Sequence, residues 1–516
     1  VALEKRISKN IKSAFMDCII SIELGTNAVR VYAFDLNGKT IGFAKGSYPT
    51  FHPCPEHSEQ DPEQIFITML YVLKNFLSEK VYPQKYNVVT ICFSASMHSL
   101  LAIDKHGVPL GNVITWADNR GNSQAKALKD LSISKAIYES TGTPIHPMSS
   151  LVKIKWMNEQ NQQVFKKTAK FLSLKSYIIH QLTGVYALDY SLASATGMLN
   201  IYDKKWDGNA LDYAGISKDQ LPDTVPVFYQ PGKLLPQYRV SLGLSENVRI
   251  LIGSSDGCLA TLGAGVWASG KATVTIEDSA AVRVVGKKIL QDEGRRIFNY
   301  VLDEQHYVSG GPSNSGGVIF EWFAKRFGDF NYAYDLEKCI DDLVLEATAV
   351  GAGAEGLLFL PYLLGERAPI WNPGARGVFF GININHERKH FTRAAVEGII
   401  FEMYSIAKML QQHRDINSIS VNGSFASIPL CAQLIADVFN MPVSVSPNTS
   451  SVSLGAYLLS ATDLGIFSDI ENAAKSIEIQ PIYLPTKNHQ TIYSKHFATF
   501  ERITAKLIDE FDELAG

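Results

Sequence analysis

The sequence predicts an α/β protein built as two related α/β domains with a cleft between them. Three observations predict it. At 516 residues the chain is too long for one hydrophobic core, and two domains is the natural division. Each half opens on a strand–turn–strand pattern, Cys18 to Lys39 in the first and Lys271 to Val285 in the second. Each half then alternates short apolar runs with stretches of helical periodicity, the pattern of strand–helix units. The duplication is one of architecture, since no short sequence period repeats.

In the first half, Gly25-Thr26-Asn27 supplies the opening turn, and Asn37-Gly38 is a hairpin signal before a third strand through Phe43. Asp61 to Leu77 reads as a helix, with Asp61 as N-cap and Pro62 in the first turn. Val88 to Phe93 is a buried strand that ends at Ser94-Ala95-Ser96-Met97-His98-Ser99, and Leu100 to Gly107 is a strand entering a turn. Further on, Ile250 to Ile252 reads as a buried strand and Gly253-Ser254-Ser255-Asp256-Gly257 as a small-residue turn. In the second half, Ser315 to Phe327 and Thr392 to Gln412 read as helices and Gly356 to Pro361 as a short buried strand. A last unit pairs a strand from Ser418 to Gly423 with a helix from Pro429 to Phe439.

Composition narrows the function. The chain is 46% hydrophobic and 19% charged, with a formal net charge of −3. That gives no electrostatic footing for nucleic acid or a polyanionic surface and points to a small-molecule partner. No apolar run reaches membrane-spanning length. Six dispersed cysteines, none at metal or redox spacing, suit a reducing compartment, so the expected location is cytoplasmic. Met16 precedes the first strand, which makes residues 1–15 an N-terminal extension or a cloning remnant.

Asp256 is the candidate around which the chemistry is organised. Small neighbours let a substrate approach its carboxylate closely, and ligands of α/β sheets gather where strands end. A lone acid in such a turn is more commonly a turn-former, so other segments must decide.

Those segments resemble the FGGY family of carbohydrate kinases over nearly the whole length, from about Met16 to Ala515. Met148-Ser-Ser-Leu-Val-Lys-Ile-Lys-Trp-Met-Asn-Glu-Gln160 is similar to the first family signature. Gly377-Val-Phe-Phe-Gly-Ile382 and His390-Phe-Thr-Arg-Ala-Ala-Val-Glu397 are similar to the second. Within the family the likeness is greatest to the gluconokinase branch, through Ser96-Met-His-Ser-Leu100, Ile114-Thr-Trp-Ala-Asp-Asn-Arg120, Asp189-Tyr-Ser-Leu-Ala-Ser-Ala-Thr-Gly197 and Leu360-Pro-Tyr-Leu-Leu-Gly-Glu-Arg-Ala-Pro-Ile-Trp371. Xylulokinases share several of these phrases.

The resemblance implies two actin-like ATPase (ribonuclease H-like) domains, a sugar-binding one over 16–263 and a nucleotide-binding one over 264–516. It implies transfer of the γ-phosphoryl group of ATP, with Mg2+, to a sugar or sugar acid, gluconate foremost, with a xylulokinase-like pentulose kinase as the alternative. Relatives are often dimers, which extends the expectation to a homodimer. Asp256 matches the catalytic base. Met97, His98, Trp116, Asp118, Arg120, Asp189 and Tyr190 match sugar-side positions, with mutual pairing of Asp118 and Arg120 as the competing reading. No Gly-x-x-x-x-Gly-Lys-Ser/Thr loop is present, so P-loop chemistry is excluded. Gly25, Thr26, Asn27, Arg30, Ser279, Gly423 and Ser424 match nucleotide-side positions, and Glu23 the metal-side carboxylate.

Two departures from the family pattern bear on phosphate binding. Glu23 and Asn27 stand where relatives carry Asp and Thr, and magnesium is exacting about geometry. Glu277-Asp278-Ser279-Ala280 stands where relatives carry Gly-Thr-Ser-Gly, which brings two carboxylates to a turn expected to face phosphates. This leaves a kinase-shaped sugar-binding protein with weak or no phosphotransfer as a further alternative.

Overall fold

The computed structural model describes residues 15–267, 270–328, 335–425, 428–446, 450–477 and 483–514. Apart from Phe15, the expected N-terminal extension lies outside the described residues. The chain divides into two compact units. The first runs to Gly263 and takes in Tyr300–His306 and Thr449–Ala474; the second comprises Ala264–Asn299, Tyr307–Asn448 and Lys475–Gly516.

The first unit is built on a five-stranded sheet. Its strands are β1 (Met16–Leu24), β2 (Ala28–Asp35), β3 (Thr40–Ser47), β4 (Tyr86–Ala95) and β5 (Arg249–Ser255), in the spatial order β5-β4-β1-β2-β3. Burial explains the order. From Cys18 to Leu24 every residue of β1 is buried, polar Ser21 and Glu23 included, as a central strand requires, whereas β3 has only intermediate and exposed positions as an edge strand should. β1 and β2 form the predicted hairpin, with Glu23 opposite Arg30, and β4 lies parallel to both β1 and β5.

Helix α1 (Pro62–Phe76) starts where the sequence says it should, because the Asp61 side chain accepts from the backbone N–H groups of Glu63 and Gln64. Two more helices matter below, α2 (Ser150–Gln160) and α3 (Leu174–Thr183).

The predicted turn at 253–257 is not a turn. β5 continues through Ser255, and helix α4 (Asp256–Gly263) begins at the acid itself. Gly253 carries the irregularity as a bulge, where the register with β4 shifts between Leu251 and Ser254. Its φ is +68°, and a Cβ there would sit 1.9 Å from the Phe93 carbonyl oxygen. The small residues read as loop formers are therefore what lets a strand bend against its neighbour.

The second unit repeats the plan. Its sheet has the strands β6 (Gly270–Ile276), β7 (Ala280–Gly286), β8 (Phe298–Val301, whose last two residues are counted with the first unit), β9 (Tyr307–Ser313), β10 (Ile416–Asn422) and β11 (Val443–Val445), in the order β8-β9-β7-β6-β10-β11. Without the edge strand β8, both sheets read as three antiparallel strands followed by two parallel ones. Helices α5 (Gly317–Phe327), α6 (Arg388–Gln411) and α7 (Pro429–Phe439) belong to this unit.

α6 begins four residues before the predicted Thr392, because Glu387 and His390 form a reciprocal capping pair at its start. α5 begins later than the predicted Ser315, whose hydroxyl is committed to the Glu366 carboxylate and the Pro361 carbonyl. Five cysteines are buried and only Cys54 is exposed. Burial pushes the Cys18 and Cys92 thiols up to about 12, which makes them inert apolar fillers. Among the described residues, no helix is long and apolar enough to cross a membrane.

Candidate active site

Strand register assembles the site. In the first unit, Leu24 of β1 pairs with Ala95 of β4, and Ala95 pairs with Ser255 of β5. The carboxyl ends of three neighbouring parallel strands thus lie on one edge of the sheet. The residues that follow them are Gly25-Thr26, Ser96-Met97-His98 and Asp256, segments up to 231 positions apart in sequence. This is where open α/β sheets collect ligands.

Asp256 is partly buried, and its Oδ1 accepts from the Gly257 N–H at 2.7 Å. Being the first residue of α4, it gains from the helix dipole as an anion. The elbow beneath it is fixed from two sides. The Ser191 and Ser255 hydroxyls are 2.5 Å apart, and the Ser255 N–H donates to Ser191 Oγ. The Lys175 ammonium donates to the Ser254 carbonyl at 3.0 Å.

Met97 is partly buried and His98 buried. His98 has a φ of +63°, a left-handed conformation that costs a residue with a Cβ about 1–2 kcal/mol. The Tyr300 hydroxyl lies 3.2 Å from His98 Nε2, with the two rings edge to face. Tyr300 was not among the sequence candidates. It stands 202 positions from His98, and no local motif marks it.

Trp116 Nε1 donates to the Thr26 hydroxyl at 2.9 Å, which ties the loop after Ile114 to the first turn. The same loop holds Asp118 and Arg120, which the structure brings together. Arg120 Nε and Nη2 donate to the two oxygens of Asp118, each at 2.8 Å, and Nη2 also reaches Glu59 at 2.6 Å. Asp118 is fully buried and also accepts from the Ser58 N–H. One cation is thus matched by two carboxylates, and the mutual pair is the reading realised.

Asp189, expected on the sugar side, has its partners inside the protein. It is fully buried, with Oδ2 2.6 Å from Lys175 Nζ and Oδ1 capping the helix Tyr190–Ala195 through the Leu192 N–H. Its charge is spent inside the protein. Tyr190, next in sequence, is only partly buried.

On the first hairpin, Arg30 donates to Glu23 Oε1 at 2.7 Å, and Ser450 Oγ is 3.5 Å from Oε2. Asn27 is exposed, and the Tyr48 hydroxyl holds the Gly25 carbonyl. Glu23 thus already has a counter-charge in Arg30. Among the described residues, no group of three or more His, Cys, Asp or Glu could hold a metal.

In the second unit, the altered turn is anchored through its backbone. The Gly317 N–H donates to the Glu277 carbonyl at 2.7 Å and the Val318 N–H to the Asp278 carbonyl at 3.2 Å, so the turn caps the start of α5. Both carboxylates are exposed, and Glu277 accepts from the Ser424 hydroxyl at 3.2 Å. Ser279 closes the turn by accepting from the Glu277 N–H. Gly423, at φ +103°, lies so close to the Ile276 carbonyl that a Cβ would come within 2.2 Å.

The chain is similar to known proteins over nearly its whole length. Residues 18–263 match the N-terminal domain of the FGGY family of carbohydrate kinases, and residues 279–464 match its C-terminal domain. The gluconokinase of Bacillus subtilis (strain 168) is 35% identical over 502 residues, covering 96% of this chain and 97% of that protein. A ligand-bound xylulose kinase from Lactobacillus acidophilus superposes with a TM-score of 0.91 at 31% identity, over 96% of this chain and 100% of that one. The gluconate kinase of Lactobacillus acidophilus gives 0.90 at 31% identity, over 96% and 99%. With both domain models matched in order and a gluconokinase similar from end to end, the chain belongs to the FGGY family of carbohydrate kinases and is a sugar kinase.

Proposed function

We propose that the protein phosphorylates D-gluconate to 6-phosphogluconate at the expense of ATP. The observation that carries this reading is the delivery of Thr26, Met97-His98 and Asp256 to one sheet edge by three adjacent strands. The likeness to gluconokinases supports gluconate as the acceptor.

Phosphoryl transfer asks a protein mainly to position its reactants. Asp256 accepts the proton of the attacking hydroxyl while that oxygen bonds to the γ-phosphorus; the bond to the β,γ-bridging oxygen breaks and ADP leaves. The Gly257 N–H keeps Asp256 Oδ1 in place during the transfer. Met97 supplies an apolar wall and His98 a hydrogen bond to a hydroxyl or the carboxylate. Arg120 is not assigned the carboxylate, because Asp118 and Glu59 already outweigh its charge. Tyr190 is kept on the sugar side. Gly25, Thr26, Asn27 and Arg30 are assigned to phosphates, and Ser279, Gly423 and Ser424 to the nucleotide. Magnesium, carried in by the nucleotide, would neutralise phosphate charge, and Glu23 would hold its water.

The test is ADP release with MgATP across gluconate, xylulose, ribulose, glycerol and a no-sugar blank. Gluconate should give the highest kcat/KM. The similarity to xylulose kinase makes xylulose the competing acceptor; a preference for it would overturn the assignment.

A further inference from the structure

Lys153 lies in the first turn of α2, where a cation opposes the helix dipole, and its side chain is fully buried. Among the described residues no carboxylate lies within ion-pairing distance of it. Its ammonium instead donates three hydrogen bonds to backbone carbonyls: His98 at 2.8 Å, Thr115 at 2.7 Å and Met148 at 2.8 Å. Three donors thus meet three acceptors on three separate segments.

Stability alone does not explain such a residue. A buried cation is costly, and an apolar side chain of similar length would fill the space more cheaply. Burial pushes this lysine down to about 7, with the Asp118 charge opposing and that of Arg120 reinforcing. Local rules broken together, at one residue, point to function.

The segments it holds identify that function. One carbonyl belongs to His98, the left-handed residue after β4. Another belongs to Thr115, which immediately precedes Trp116, the partner of Thr26. The third belongs to Met148, at the entrance to α2 itself. We propose that Lys153 is a positioning residue for the sugar site, a three-pronged clamp that holds the His98 turn and the Trp116 loop at fixed separation. The proposal rests on the reading of His98 as a sugar contact. A neutral amine has only two N–H groups and would turn a lone pair on one carbonyl, so the clamp requires the ammonium. Held this way, His98 keeps its strained backbone without sugar having to induce it.

The test compares Lys153→Met and Lys153→Gln with the wild type, using whichever sugar the wild type phosphorylates best. A wrong sugar assignment then appears in the wild type, and a wrong role for Lys153 only in the variants. Both variants are one atom shorter than lysine; Met removes all three donors, and Gln keeps two N–H groups. Sugar KM should rise about tenfold or more in the Met variant, the loss expected for one charge-assisted hydrogen bond's worth of ordering, and less in the Gln variant. The KM for ATP should rise much less, since on the phosphate side only Thr26 is tied to a clamped segment, through Trp116. Three outcomes would overturn the proposal: an unchanged sugar KM, an equal loss for sugar and ATP, or failure of both variants to fold. The last would make Lys153 a core residue and nothing more.

Discussion

Replacing Lys175 by Met should destabilise the protein by about 3–5 kcal/mol at neutral pH, because it breaks a buried ion pair from one side. The pair is 2.6 Å across, and both side chains are essentially inaccessible to water. Without the ammonium, Asp189 keeps its hydrogen bond to the Leu192 N–H but has lost its cation. A buried carboxylate stripped of its cation is the costly remainder, and the range for a broken buried pair reflects it.

Urea unfolding of wild type and variant at pH 7 measures the loss, as a midpoint shift at constant slope. The double variant Lys175→Met, Asp189→Leu should recover most of it, since no charge is then left unpaired. A deficit below about 1 kcal/mol, or a double variant no more stable than the single one, would refute the argument. Turnover should fall in the single variant as well, because Lys175 also holds the Ser254 carbonyl two residues before Asp256.

Other predictions follow from separate features. Asp256→Asn should abolish phosphoryl transfer while sparing sugar binding by calorimetry; near-normal turnover would remove Asp256 as the base. Glu277→Gly with Asp278→Thr should tighten ATP several-fold if the carboxylates face phosphates, and unchanged calorimetric affinity would mean that they do not. Arg120→Gln should lower the melting temperature yet leave the ratio of gluconate to xylulose kcat/KM unchanged, since its charge is spent on Asp118 and Glu59; a large swing in that ratio would return it to the sugar site.

Glu402 offers a titration test in the second unit. Burial first, and then the Glu366 charge, hold its pKa well above the ordinary carboxyl value. Glu366 accepts four hydrogen bonds, from the Ser313 and Ser315 hydroxyls and the Asn314 and Arg367 N–H groups, so Glu402 is the member that keeps a proton. Because its folded pKa is raised, its stabilising contribution is complete below the unfolded value and is lost as pH rises through the folded one. Glu402→Gln, which imitates the protonated acid, should therefore flatten the decline in melting temperature above about pH 4.5.

What the sequence revealed and what it hid divide along one physical line. Periodicity and capping are local, so the opening hairpins, α1 and α7 were legible, α7 to the residue. The bulge at Gly253 was not, because its cause is the Phe93 carbonyl on a neighbouring strand and no residue beside it in sequence. The candidate site residues divide the same way. Motifs pointed to Asp256, Met97 and His98, which follow directly from strand ends. Lys153 stands inside the first signature-like segment, but the contacts that it, Lys175 and Tyr300 make, to backbone carbonyls or one ring nitrogen on other segments, leave no spacing to read.

Asp118, Arg120 and Asp189 show the converse. Each is a charged residue in a phrase tied to sugar, yet each finds its counter-charge inside the protein. A carboxylate taken out of water demands a partner before it can serve a ligand, and sequence reports the charge without the partner. The same distinction bears on the Glu277-Asp278 turn, which on sequence looked disabling. There the backbone carbonyls, and not the carboxylates, secure the turn to α5, while both side chains remain exposed. Water screens charges so placed, which removes most of the repulsion a buried pair would exert on a phosphate. An active kinase therefore needs no compensating metal at this turn, and restoring glycine there should adjust nucleotide affinity rather than create it.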